Sequence, residues 1–83
     1  IREGTFNRFG YQMLNDKKYE LAIEIFKINT KLYPNSSNTY DSLGEAFWRL
    51  KDTIKAKENF NKALSINPEN KRALRFIKNH KLD

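Results

Sequence analysis

Apolar residues recur along the chain with the period of an α-helix. In two segments, large apolar residues and one glycine follow the spacing i, i+3, i+4, i+7, which puts them on one helical face. The first set is Phe6, Phe9, Gly10 and Met13, and the second is Tyr40, Leu43, Gly44 and Phe47. The sets lie 34 residues apart. The pattern therefore predicts two amphipathic helices that begin two copies of a 34-residue repeat.

The second half of each copy predicts another helix. The same offset pairs Ala22 with Ala56, Phe26 with Phe60, and Pro34 with Pro68. Short polar segments, residues 16–18 and 51–53, separate the two apolar runs of each copy, and the prolines end the second run. Each copy is therefore predicted to be an antiparallel helix pair. Glycine within a helix costs about 1 kcal/mol, so the two helical glycines predict close helix packing, with Ala22 and Ala56 as the small partners.

A fifth helix is predicted after the second copy. Leu74 and Ile77 continue the apolar pattern, but Lys78 stands at the glycine position and Lys81 at the position of Phe47. One face is thus left polar, as in a helix that caps a repeat array. The predicted helices span residues near 4–15, 18–32, 38–50, 53–66 and 70–81, which makes the fold class all-α.

These residues resemble the tetratricopeptide repeat, a 34-residue helix-turn-helix. Residues 37–70 carry the family pattern throughout, and residues 3–36 carry it less completely, with Asn29 where alanine is usual. The resemblance implies a single domain over residues 1–83, with repeat 1 at about 3–36, repeat 2 at about 37–70 and a capping helix at about 71–81. It further implies a short right-handed superhelix that binds proteins or peptides.

A weaker resemblance is to the repeat tails of bacterial serine hydrolases, including esterases and β-lactamase-like enzymes. The chain begins at Ile1 rather than methionine, so we expect a tail excised from a larger protein. Its function would be that of a scaffold that docks onto its own enzyme domain, or of a self-association element that forms a homodimer. The alternative is an accessory domain that contributes to a hydrolase substrate cleft.

The composition favours a non-catalytic domain. Cysteine is absent and His80 is the single histidine, and the sequence has no Gly-rich phosphate loop and no nucleophile elbow. We therefore expect no enzyme activity, no cofactor and no metal site, and interpret His80 as a solvated residue near a helix C-terminus. No apolar run exceeds three residues, which predicts no membrane span. Nothing in the sequence indicates a compartment.

The net charge of +6 raises the question of nucleic-acid binding. Residues 42–83 carry ten Lys and Arg against five Asp and Glu, so most of the excess lies in the second half. The many lysines, asparagines and isoleucines also fit the codon bias of an A+T-rich genome. A solvated basic surface is the favoured interpretation, and nucleic-acid binding is the weaker one.

The family geometry implies a concave groove formed by the first helices. Its expected partner-binding residues are Asn7, Tyr11, Asn15, Asn38, Asp41, Glu45, Trp48 and Arg49. The carboxylate clamp of the chaperone-binding members is missing, and in the cap only Arg72 is basic where that clamp requires it. Two interpretations of Trp48 remain open: it contacts a bound peptide, or it covers the edge of the core.

A second candidate surface is a row of aliphatic residues on the second helix. Leu21, Ile25 and Ile28 share one face by their spacing i, i+4, i+7. The equivalent residues of the second copy are Lys55, Asn59 and Lys62. An outward apolar row predicts docking or self-association. The alternative is a rotated helix that buries this row and turns Asn29 and Thr30 outward.

Overall fold

The computed structural model describes residues 2–82, and these residues form five α-helices and no strand. The helices are α1 (Glu3–Asn15), α2 (Tyr19–Leu32), α3 (Ser37–Arg49), α4 (Thr53–Ile66) and α5 (Lys71–His80). The predicted all-α repeat fold is confirmed, and each helix lies within one or two residues of its predicted span. The ends of the predicted domain, Ile1 and Asp83, lie outside the described residues.

The core lies between helices that follow one another in the chain. α1 packs on α2, α2 on α3, α3 on α4 and α4 on α5, and α1 also touches α3. Two phenylalanines at equivalent repeat positions, Phe26 and Phe60, are fully buried at its centre. Alanines fill the narrow spaces beside them, namely Ala22, Ala46, Ala56, Ala63 and Ala73. Burial of this apolar surface is the main stabilising contribution to the fold.

The predicted close approach at the two glycines is present, but its partners differ from the prediction. A Cβ atom on Gly44 would lie 3.1 Å from three ring carbons of Phe60, and one on Gly10 would overlap the ring of Phe26. The small residues Ala22 and Ala56 were expected to make this contact. Glycine is instead needed because an aromatic ring occupies the space beside each first helix.

Lysines in the left-handed backbone region end three of the helices. They are Lys17 (φ 62°), Lys51 (φ 72°) and Lys81 (φ 55°). After α1, the Lys18 N–H donates to the Met13 carbonyl at 2.8 Å and the Lys17 N–H donates to the Leu14 carbonyl at 2.9 Å. This pair of bonds is the Schellman motif, which turns the chain sharply at a helix end. The turn lets α2 pack back on α1.

Candidate functional site

A polar cleft of about 440 Å³ lies between α1, α3 and the start of α5. Four of the residues predicted for the concave groove line it, namely Asn7, Tyr11, Asn38 and Asp41. Arg72 of α5 lines it as well. We call this site the polar cleft. The structure therefore brings together half of the predicted groove residues and adds a cation from the cap helix.

Arg72 occupies the centre of a charge network in the polar cleft. Its guanidinium forms ion pairs with the carboxylates of Asp41 and Glu45 and donates a hydrogen bond to the Tyr11 hydroxyl. The Tyr11 hydroxyl in turn donates to Oε1 of Glu45 at 3.0 Å. The guanidinium carbon also lies 5.5 Å from the centroid of the Tyr11 ring. Three of the groove's polar side chains thus already have a partner from the same chain.

Asn70 fixes the cap helix to the floor of the polar cleft. Its Nδ2 donates to Oδ2 of the buried Asp41 at 2.9 Å and to Oγ of Ser37 at 2.7 Å. The Ser37 hydroxyl in turn donates a hydrogen bond to the Ala63 carbonyl at 2.8 Å. Oδ1 of Asn70 accepts the Ala73 N–H at 3.0 Å, which caps the N-terminus of α5. One side chain therefore both starts α5 and attaches it to α3.

Burial is the largest single influence on the pKa values of Tyr11, Asp41 and Arg72 in the polar cleft. Burial raises the pKa of Tyr11 to about 12. It also raises the pKa of Asp41 above its ordinary value, although Asn70 and Arg72 act in the opposite direction. Burial alone would lower the pKa of Arg72, but Tyr11, Asp41 and Glu45 outweigh it and the pKa is raised. At neutral pH this arrangement favours a protonated Tyr11 and a charged Arg72.

The polar cleft holds no arrangement for metal binding within the described residues. Residues 2–82 contain no group of three or more His, Cys, Asp or Glu side chains that could hold a metal ion. The carboxylates of Asp41 and Glu45 face a cation supplied by Arg72. The chemistry of the site is therefore ion pairing and hydrogen bonding.

Trp48 lies beneath the cap helix. Its ring meets Phe76 edge to face, with centroids 5.3 Å apart, and lies 4.2 Å from the ring of His80. Phe76 also stacks on the buried Phe60 at 4.7 Å. These contacts favour Trp48 as a cover for the core edge. His80 is exposed, as expected near a helix end, but it also rests on two aromatic rings.

Within the described part of the chain, the other predicted groove residues do not bind Arg72. Asn7 accepts a hydrogen bond from Ser42 at 2.7 Å, and Arg49 lies 3.8 Å from Oε2 of Glu45. Asn15 is exposed at the end of α1 and does not line the polar cleft. The sequence analysis missed Arg72 and Asn70 as members of this site. The signal was available in part, because Arg72 is basic at a groove position of the cap.

The aliphatic row on α2 is exposed. Leu21 is 49% exposed and Ile28 is 47% exposed, while Ile25 between them is partly buried. Leu32, which is 55% exposed, continues the row by another four residues. Asn29 and Thr30 are buried, so the alternative of a rotated helix is wrong. We call Leu21, Ile25, Ile28 and Leu32 the outer stripe.

The equivalent face of α4 has a different surface. Lys55 stands 34 residues after Leu21, and its Nζ lies 5.6 Å from the ring centroid of Phe47. Lys62 stands 34 residues after Ile28, and its Nζ lies 5.8 Å from the ring centroid of Tyr40. Lysine stems can cover apolar surface while the charged ends remain in water. The two repeats therefore share a fold and differ in what their second helices expose.

The family comparison agrees with this geometry. Residues 37–70, which contain α3 and α4, match the family model of the tetratricopeptide repeat. This match and the five-helix architecture fit a TPR-like repeat domain. No curated protein matches it. Tetratricopeptide repeats generally mediate protein–protein interaction and are typically non-catalytic, so protein is the general class of partner for this TPR-like domain. Within residues 2–82, none of its helices is long and apolar enough to cross a membrane.

Proposed function

We propose that this TPR-like domain is a non-catalytic protein-interaction module that contacts its partner through the outer stripe. The observation that carries the proposal is the contrast between two surfaces. In the polar cleft, Asp41 and Glu45 are paired with Arg72. In the outer stripe, Leu21, Ile28 and Leu32 each expose about half of their surface to water.

The contacts of the polar cleft argue against it as the main binding surface. An incoming peptide would have to replace the interactions of Arg72 with both carboxylates and with Tyr11. Asp41 is buried, and a buried carboxylate that loses its cation carries a large desolvation penalty. Trp48 is only partly exposed, because its ring contacts the rings of Phe76 and His80. Half of the predicted groove residues thus contact the cap helix.

The outer stripe offers a direct gain from burial. Covering the exposed half of one leucine or isoleucine side chain stabilises a complex by about 1 kcal/mol. Three such residues, Leu21, Ile28 and Leu32, together contribute about 3 kcal/mol. The apolar surface that the partner buries adds to this contribution and offsets the entropy of association. A parent enzyme domain and a second copy of the chain, the two partners predicted from the sequence, would both use this row.

The proposal can be tested by photocrosslinking in cells that make the protein. A photoreactive amino acid replaces either Ile28 in the outer stripe or Asn38, which lines the polar cleft. We expect protein adducts from position 28 and few from position 38. Adducts from position 38 with none from position 28 would instead identify the polar cleft as the contact surface.

A substitution added to the chain that carries the photoreactive residue at position 28 provides the matched control. Leu21→Lys installs the residue that repeat 2 carries at the equivalent position, Lys55. Because that repeat has the same helical architecture, the variant should keep its helical spectrum and lose the adducts. Ile54→Lys changes an isoleucine that is 74% exposed on α4 and should leave the adducts unchanged.

A further inference from the structure

We propose that the outer stripe of one molecule packs against the outer stripe of a second copy, with the two α2 helices antiparallel about a two-fold axis. This inference rests on the proposed function and names the partner. The evidence lies in two features of α2, which are the order of its aliphatic residues and the order of the charges beside them.

The outer stripe reads the same in both directions. Its residues are Leu21, Ile25, Ile28 and Leu32, with steps of four, three and four. These steps are those of the a and d positions of two heptads, the spacing with which helices form a packed seam. In an antiparallel pair, Leu21 of one copy lies opposite Leu32 of the other, and Ile25 lies opposite Ile28. A leucine thus meets a leucine and an isoleucine meets an isoleucine along the whole row.

The charged residues beside the outer stripe are also ordered for this arrangement. Glu20 and Glu24 lie in the first half of α2, and Lys27 and Lys31 lie in the second half. All four are exposed. At 100° per residue they share one flank of the outer stripe. A two-fold axis brings this flank of both copies together and places Glu20 near Lys31 and Glu24 near Lys27 of the other copy.

A parallel arrangement of the two α2 helices does not bring opposite charges together in this way. In a parallel pair, the charged flank would face the opposite flank of the other helix, where Asn29 is already bonded to the Glu3 carbonyl at 3.1 Å. The charge order is also not a general property of the second helices. α4 begins with Thr53, Ile54 and Lys55 and has no acid in its first turn. The self-complementary order is therefore specific to the helix that carries the outer stripe.

The interface of one helix pair is small, so the dimer should be weak. Interfaces that bury less than about 1,200 Å² belong to transient complexes. We expect sedimentation equilibrium of the 83-residue chain to detect some dimer at high micromolar concentration. At about 1 mM most of the chain should be dimeric. Leu21→Lys with Ile28→Lys should sediment as a monomer throughout, and Ile54→Lys should behave as the natural sequence.

Charge reversal tests the pairing separately from the apolar contact. Glu20→Lys with Glu24→Lys leaves four positive charges on each flank and should weaken the dimer about tenfold, which corresponds to 1.4 kcal/mol. Lys27→Glu with Lys31→Glu should weaken it similarly. Combining all four changes restores opposite charges across the axis and should restore the association. A combined variant that stays as weak as either double variant overturns the proposed charge pairing.

The orientation can be measured with spin labels, because the chain has no cysteine of its own. A label at Lys27→Cys lies next to the axis and should show an inter-label distance near the helix separation of about 10 Å. Two labels at Glu20→Cys, one on each copy, should lie about 20 Å farther apart along the helix axis if the helices are antiparallel, because each residue adds about 1.5 Å of rise. Equal short distances at both positions would mean a parallel pair and would overturn the proposal.

Failure of this inference can be told apart from failure of the proposed function. At about 1 mM even weak interfaces associate. If the chain stays monomeric at that concentration while position 28 still crosslinks to another protein, the dimer is overturned and the outer stripe remains a docking surface. A monomeric chain without adducts at position 28 overturns both.

Discussion

The ring of Phe26 fills the space in which a Cβ atom on Gly10 would lie. Even Cδ1, the farthest of the three nearest ring carbons, would be only 2.7 Å from that atom. Because Phe26 is fully buried, its ring cannot move away without disturbing the core. Gly10→Ala should therefore destabilise the domain by about 2 kcal/mol, as overpacking does in other cores. The urea midpoint measures this loss.

Two other glycines are matched controls for that change. At Gly44 the ring of Phe60 is 3.1 Å from the added carbon, so a shift of a few tenths of an ångström suffices. The better helix propensity of alanine, worth about 1 kcal/mol, should then leave Gly44→Ala near neutral. A Cβ on Gly4 would meet no side chain of residues 2–82 within 4 Å, so Gly4→Ala should not destabilise. Equal losses at positions 10 and 44 would contradict the geometry.

The left-handed lysines offer a stabilising change. Lys51 has φ 72° at the end of α3, a conformation that costs about 1 kcal/mol or more for a residue with a side chain. Lys51→Gly should raise the free energy of unfolding by about 1 kcal/mol. Lys51→Ala removes the same charge but keeps the Cβ atom, so its thermal midpoint should stay near that of the natural sequence. A gain from alanine as large as that from glycine would assign the effect to charge.

Asn29 is a buried amide at a position where repeat 2 has Ala63. Within the described residues, its Oδ1 has no hydrogen-bond partner. An unsatisfied buried polar atom costs about 1–3 kcal/mol, and the single bond from Nδ2 to the Glu3 carbonyl recovers part of this cost. Asn29→Ala should therefore stabilise the domain by about 1 kcal/mol despite the lost volume. Asn29→Leu, which is larger, serves as the packing control. A lower urea midpoint for the alanine variant would mean that the Glu3 bond outweighs the unpaired oxygen.

Alkaline titration should separate Tyr11 from the other three tyrosines. Its pKa of about 12 in the folded state lies above the ordinary value of 10.0. The folded state therefore holds this proton more tightly than the unfolded state. The resulting stabilisation is fully present below pH 10 and is lost as the pH rises through 12. Phenolate absorbance should show a late phase that disappears in Tyr11→Phe. Persistence of that phase in the variant would assign it to another tyrosine.

The helices were predictable from the sequence because their evidence is local and repeated. Gly10 with Gly44, and Pro34 with Pro68, mark the same points of two copies, so one pattern supports the other. The identity of the glycine partners was not predictable in this way. The direction in which the Phe26 ring points depends on how α2 packs against α1, and the spacing of residues along one helix does not contain it.

The candidate surfaces were predictable to different degrees. The row Leu21, Ile25 and Ile28 follows from helical spacing, whereas its exposure depends on the rotation of α2 and is known only from the fold. Leu32 was overlooked because it stands at the helix end, close to Pro34. The network around Arg72 joins residues 27 to 61 positions apart, and no periodic pattern reports such contacts.

The long-range contacts of Arg72 determine the order in which parts of the domain can join during synthesis. In an array of repeats, each unit normally contacts only its neighbours, and the array can grow stepwise. Arg72 bonds to Tyr11, 61 residues earlier, and so connects the cap directly with the first repeat. During synthesis, the carboxylate of Asp41 has no ion pair with Arg72 until that residue has left the ribosome. The contacts that join the cap helix to the first repeat can therefore form only after synthesis has passed residue 72.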